Sequence, residues 1–169
     1  MSVRYIVEKD AEQVAKVNIE GWQTAYRGII PDDFLDSLDV ESMTDRQKTT
    51  ISERPNDGFV FEAEDGRILG FCQFGELRWI EEFGDKCDCE MYAIYVSLES
   101  RGGGVGKALM EAAIAEFRAR GKKGMLVNVL EKNTPSVNFY KSLGGVEIGN
   151  KPFVLKEVAY PQTTFAFRL

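Results

Sequence analysis

Apolar positions along the chain follow two rhythms, short continuous or alternating runs and a 3.6-residue repeat, and the two exchange places in a regular order. Val3 to Val7 predicts a first strand. From Asp10 the pattern turns helical. Val14, Val17, Trp22 and Ala25 share one face of a helix reaching Tyr26, with Asp10 as N-cap and Gln13 completing a capping box. Arg27-Gly28-Ile29-Ile30-Pro31 breaks it, a short helix follows from Pro31, and Val40 to Ser52 predicts a third. Glu53 to Gly58 reads as a loop, and Phe59 to Glu64 and Arg67 to Phe74 as a strand pair joined by a tight Asp65-Gly66 turn. Ile80 to Asp88 predicts a polar connection, and Cys89 to Val96 a buried strand.

The stretch after that strand organises the chain. Ser97 to Ser100 is a turn, Arg101-Gly102-Gly103-Gly104-Val105-Gly106-Lys107 a glycine-rich loop, and Ala108, Leu109, Ala112, Ala113, Ile114 and Phe117 one face of a helix ending at Gly121. Glycine near regular structure costs roughly 1 kcal/mol each, so three in a row opening a helix ask for a reason. Amides free of Cβ converging on a helix N-terminus, flanked by Arg101 and Lys107, supply one: a phosphate or pyrophosphate site. A P-loop is excluded, because Arg101 stands at its first glycine and Ala108 at its Ser/Thr. The dinucleotide fingerprint fails too, its third glycine falling on Lys107 or Leu109. Beyond the helix, Gly124 to Leu130 predicts a buried strand parallel to Cys89–Val96 through the helical crossover. Asn133 or Thr134 caps a helix with Pro135 in its first turn, ending at Leu143-Gly144-Gly145. Val146 to Phe153 and Thr163 to Leu169 predict two closing strands.

At 169 residues the chain has the length of one domain. A net charge of −6 argues against nonspecific nucleic-acid binding and suits a cationic partner. Met1 to Tyr5 carries no apolar signal core and no run reaches membrane length, so the expectation is a cytoplasmic protein without membrane contact. Three cysteines, Cys72, Cys87 and Cys89, without an export signal read as reduced thiols. With no histidine and no second cysteine pair, a closed zinc site cannot be assembled, and no metal is expected. The lack of histidine also removes Ser-His-Asp and Cys-His chemistry, leaving a general base to Glu, Asp, Lys, Tyr, Cys or a held water.

Arg101-x-x-Gly104-x-Gly106 resembles the pyrophosphate loop of the GNAT superfamily of acyl-CoA N-acyltransferases. Asn133-x-x-Ser136-x-x-Phe139-Tyr140-x-x-Leu143-Gly144 resembles the second signature of that family, in the family's order. Ser136 stands where the family has Ala, and Gly145 where an aromatic follows the Gly. The resemblance is strong from Glu90 to Gly144 and rests on element order elsewhere. It implies an α/β fold, a single GNAT-like domain over residues 1–169. Its sheet would be mixed and mostly antiparallel, with helices on both faces and two parallel central strands that splay.

It further implies acetyl-CoA as donor, its pyrophosphate on Arg101, Gly102, Gly103, Gly104, Val105, Gly106 and Lys107. The pantetheine arm would lie along Ile94, Tyr95 and Val96, with Asn133, Ser136 and Tyr140 on the same ligand. Tyr140 would protonate the departing thiolate. Glu90 resembles the family's general base and, with Tyr92, Trp22 and Tyr26, would also meet the acceptor; Glu76, Glu81 and Glu82 are fallback bases or cation binders. Trp22 and Tyr26 read equally as aromatics packing a helix onto the sheet, Tyr140 as a core aromatic, and Glu90 as the partner of a surface cation. The activity implied is direct acetyl transfer to a primary amine of a small molecule or peptide in a ternary complex. A noncatalytic acyl-CoA sensor or partner subunit, or a nucleotide-binding regulator, would keep the same loop. The sequence leaves the acceptor's identity and a homodimer open.

Overall fold

The computed structural model describes residues 1–169. Its strands are β1 (Ser2–Tyr5), β2 (Gly58–Glu62), β3 (Ile68–Glu76), β4 (Cys89–Val96), β5 (Gly124–Leu130), β6 (Val146–Asn150), β7 (Phe153–Leu155), β8 (Val158–Tyr160) and β9 (Gln162–Arg168). Its helices are α1 (Ala11–Ala25), α2 (Asp32–Asp36), α3 (Val40–Glu53), α4 (Ile80–Phe83), α5 (Val105–Ala119) and α6 (Thr134–Ser142). Seven strands join one sheet in the order β1-β2-β3-β4-β5-β9-β6, and β7-β8 pair apart. The β1–β2, β2–β3, β5–β9 and β6–β9 ladders are antiparallel, and β4–β5 is parallel. This is the mixed, mostly antiparallel sheet expected, with α5 as the crossover between the parallel pair. That ladder joins Cys89–Met91 to Met125–Val127, while β4 runs on to Val96 and β5 to Leu130.

Backbone contacts gather into two compact units, Met1–Phe74 with Ala93–Ala115, and Gly75–Tyr92 with Glu116–Leu169. In the first, Ala11, Val14 and Val17 of α1 and Ile51 of α3 pack with Val60, Ile68 and Phe71 of β2 and β3. The i, i+3 stripe of α1 meets these strand residues, and the register shift at Phe61/Glu62 brings Ile68 and Phe71 to the same face. Arg4 locks the entry of the chain, donating to both carboxylate oxygens of Asp10 (2.7 and 2.9 Å) and of Glu62 (2.8 and 3.0 Å). In the second unit, Leu77, Phe83, Cys87 and Leu126 form a core joined by Trp79, Ile148 and Ala166.

Three local expectations are corrected. Asp10 stands before α1 but caps nothing there; its carboxylate accepts from Arg4 and from the Val7 amide, while Gln13 turns to the Ile68 amide and the Gly66 carbonyl. An arginine two charges strong in partners outcompetes a capping bond. The polar connection from Ile80 forms the helical turn α4, anchored by Phe83 in the core. The tail contains an extra hairpin, β7–β8, turning on Lys156 (φ 46°) and Glu157 (φ 66°) with Leu155 opposite Val158. Two consecutive positive φ values make the two-residue turn that matches strand twist, here without the Asn-Gly pair that would announce it.

Candidate active site

In the first unit, β4 ends at Val96, and the chain passes through a 3₁₀ turn, Leu98–Ser100, into the glycine loop and α5. Gly102 (φ 78°) and Gly104 (φ 83°) hold left-handed backbone, which any L side chain would strain, and a Cβ at either would meet no atom within 4 Å. The first intrahelical bond of α5 runs from the Ala108 amide to the Gly104 carbonyl at 2.9 Å. The amides of Val105, Gly106 and Lys107 therefore precede the helical ladder and are the donors a helix N-terminus offers. Arg101, exposed, donates to Thr24 Oγ1 (2.6 Å) and to the Val96 carbonyl (3.4 Å) and pairs with no carboxylate. Lys107 reaches Glu111 only at 3.8 Å. Bare amides at a helix start plus an uncompensated guanidinium are donors that can hold an anion.

The same unit holds the aromatic pair. Trp22 meets Tyr26 edge to face, centroids 5.1 Å apart at 85°, with Phe34 beside Trp22. The Tyr26 and Tyr95 hydroxyls lie 3.0 Å apart. Burial raises the Tyr26 phenol above its ordinary pKa, partly opposed by the bond to Tyr95. Tyr95 also packs on Phe71. Its ring lies so close to Gly21 that a Cβ there would collide with it. Ile94, Tyr95 and Val96 are all half-buried along β4.

In the second unit, Glu90 is 1% exposed and holds both oxygens on one residue. Arg78 donates to it from its amide (3.1 Å), from Nε (3.2 Å) and from Nη2 (2.6 Å). The Arg78 guanidinium also stacks over the Tyr92 ring at 4.4 Å, and the Tyr92 hydroxyl donates to the Glu76 carbonyl at 2.6 Å. Burial lowers the Arg78 pKa, but the hydrogen bonds and charge of Glu90 outweigh it, so the group is held above its ordinary value. The fallback carboxylates are largely committed: Glu76 to Lys122 and Glu82 to Lys151.

Asn133 caps α6, its Oδ1 accepting from the Ser136 amide at 3.3 Å, while Pro135 sits in the first turn as expected. Asn133 is buried and Ser136 half-buried. Tyr140 is buried among Phe139, Phe165 and Phe167. The predicted residues thus fall into two sets. Trp22, Tyr26, Ile94, Tyr95, Val96 and the 101–107 loop belong to the first unit, and Glu90, Tyr92, Asn133, Ser136 and Tyr140 to the second. Sequence reasoning missed Arg78 and Thr24. A glutamate inside an apolar strand does call for a cation, but nothing in the sequence says which one.

The three cysteines are free and buried. Burial pushes Cys72 up to about 12 and Cys87 up to about 11, and raises Cys89 as well. Protonated, buried thiols are poor nucleophiles.

Comparison with known families matches residues 22–144 to the acetyltransferase (GNAT) family. A Bacillus subtilis protein named as an uncharacterised N-acetyltransferase, YuaI, is 33% identical over 158 residues, 94% of this chain and 87% of its own. Among solved structures, a ribosomal-protein-alanine N-acetyltransferase from Brucella melitensis superposes with a TM-score of 0.76 at 21% identity, covering 100% of both chains. The yncA structure from Salmonella typhimurium, containing its cofactor acetyl-CoA, gives 0.72 at 20% identity over 99% of this chain and 93% of that one.

Proposed function

The chain belongs to the acetyltransferase (GNAT) family, and on that premise we propose that residues 1–169 act as one acetyl-CoA-dependent N-acetyltransferase domain. The acceptor is a primary amine of a small molecule or peptide, attacking the thioester directly in a ternary complex. The observation that carries this reading is Arg101, a guanidinium without a carboxylate partner next to two left-handed glycines and the open first turn of α5. The loop amides and Arg101 hold the pyrophosphate of the donor. The backbone of Ile94, Tyr95 and Val96 takes the pantetheine amides, and Asn133, whose Oδ1 already caps α6, has its amide nitrogen left for the same arm. Ser136, in the first turn of α6, supports that contact.

For the chemistry, the acceptor must first lose a proton, since a lysine-like amine has a pKa near ~10.4. Glu90, with its oxygens on Arg78, takes that proton through a water. The Val96 amide donates to the developing oxyanion, a contribution typically worth ~3 kcal/mol. Tyr140 returns a proton to the departing thiolate. Trp22, Tyr26 and Tyr92 present aromatic faces to the acceptor, whose ammonium such faces attract.

Thermal denaturation with acetyl-CoA, CoA, ATP and NAD tests the donor half. A ligand at a hundredfold excess over Kd stabilises by about 2.7 kcal/mol, which for a chain of this size is about 5–10 °C. Gly104→Glu strains a left-handed position by about 1–2 kcal/mol and places a carboxylate at the anion site. Its baseline falls modestly and its CoA-induced increment disappears. No increment with CoA species on the native protein, or a larger one with ATP or NAD, overturns the proposal.

A further inference from the structure

We infer that Arg78 is an acceptor-binding residue and that the acceptor amine carries a carboxylate, an α-amino acid being the simplest member of that class. The inference rests on the acetyltransferase reading above and names its substrate. Arg78 lies in the segment between β3 and β4, and its partners Glu90 and Tyr92 are the two β4 residues that, by the family resemblance, would meet the acceptor.

The geometry of the pair is informative. A guanidinium has two forks that fit a carboxylate, one side-on through Nε and an Nη, the other end-on through both Nη atoms. Glu90 occupies the side-on fork, with Nε at 3.2 Å and Nη2 at 2.6 Å. Nη1 donates to nothing in the protein, and the Arg78 side chain is 53% exposed although its partner is 1% exposed. Stacking on Tyr92 at 4.4 Å fixes the plane of the guanidinium.

A merely structural cation for Glu90 would not need this arrangement, since one ammonium would serve. What it achieves is an immobilised end-on fork aimed away from the buried carboxylate. Holding the group in advance lowers the ordering cost when an anion binds. A planar carboxylate matches that fork, whereas a polyamine, favoured by the net charge alone, would be repelled by it. Glu90 is in this account also a positioning residue for Arg78.

The test measures thiol release at saturating acetyl-CoA with paired acceptors that differ only in the carboxylate or its reduced form: L-methionine against methioninol, L-phenylalanine against 2-phenylethylamine, and L-lysine against cadaverine. The carboxylate member is expected to have the higher kcat/KM by about tenfold to a hundredfold, the range of a charge-assisted hydrogen-bond pair. Arg78→Lys keeps a cation for Glu90 but removes the end-on fork. It should raise KM for the amino acid by about tenfold, while the KM for acetyl-CoA stays as it is. Equal or better turnover of the carboxylate-free amines by the native protein overturns the inference whether or not the variant folds, and leaves the acetyltransferase reading standing. No release from any acceptor also overturns it, and the acetyl-CoA thermal shift then tells whether the parent reading falls too.

Discussion

Glu90→Gln separates a buried anchor from a free base. In the folded protein the carboxylate accepts three hydrogen bonds from Arg78, two at Oε2 and one at Oε1. A glutamine can keep the two at its single carbonyl oxygen. The third site becomes an NH₂ facing Nη2, donor against donor. One charge-assisted bond is worth about 1.5–3 kcal/mol, and an opposed pair of charges near a protein surface about 4 kcal/mol at 4 Å. Two effects offset this loss: burying a neutral amide costs less than burying a carboxylate, and Arg78, 53% exposed, can turn to water. The net expectation is a destabilisation of about 2–3 kcal/mol, below the 3–5 kcal/mol of a fully buried pair. Urea unfolding should show a lower midpoint with an unchanged slope, and Tm should fall by about 5–10 °C. The rate of acetyl transfer carries the other half of the test: if Glu90 relays the proton, kcat falls on top of the stability loss. A stability change within about 0.5 kcal/mol, the range of ordinary surface substitutions, would refute the anchoring argument.

Asp10 gives a pH signature. Burial pushes its carboxyl up, but hydrogen bonds from Arg4 and the Val7 amide, with the Arg4 charge, outweigh that and hold it below its ordinary value of 3.8. A depressed folded pKa means its stabilisation is fully present above that value and is lost as pH falls through the folded one. Asp10→Asn should therefore cost about 2–3 kcal/mol at pH 7 and progressively less in acid, measured as urea midpoints from pH 7 to pH 2; a pH-independent difference contradicts the assignment. Gly21→Ala would ordinarily stabilise a helix by about 1 kcal/mol, but here the new Cβ collides with the Tyr95 ring. Overpacking of about 1–3 kcal/mol should win, lowering Tm, and a rise in Tm would show that the ring has room to move.

What was legible in the sequence was what local chemistry dictates. The central strand is Cys89–Val96 as read, because β-branched and aromatic residues bounded by turns leave little alternative. Gly121 ends its helix with φ 75°, and Pro135 opens the next, because each residue type suits one backbone state. The misreadings have separate causes. Asp10 carries every local mark of an N-cap, but its carboxylate is taken by Arg4, which is itself held by Glu62, distant in sequence. The hairpin at Lys156-Glu157 uses left-handed residues that composition does not favour there. Glu90 was legible as a carboxylate needing an explanation, but its partner Arg78 sits in a segment without periodicity.

The last two turns of α1 carry Trp22 and Tyr26, for which the sequence offered two readings, and the structure shows the packing one in detail. Glu20 accepts from the Leu98 amide at 2.8 Å, and Thr24 accepts from Arg101 at 2.6 Å while giving its own proton to the Glu20 carbonyl. Gly21 leaves room for the Tyr95 ring, and Tyr26 meets the Tyr95 hydroxyl. One short stretch of helix therefore supports both the entry to the glycine loop and the end of β4. Its aromatics are packing groups by position, and Thr24 between them accepts from the Arg101 guanidinium. Satisfied side-chain networks of this kind fix geometry more than they add stability. Loss of the Thr24 hydroxyl would remove a neighbour of Arg101, not a part of the core, so on the proposed function Thr24→Val should lower acetyl-CoA affinity in titration and leave the unliganded Tm unchanged.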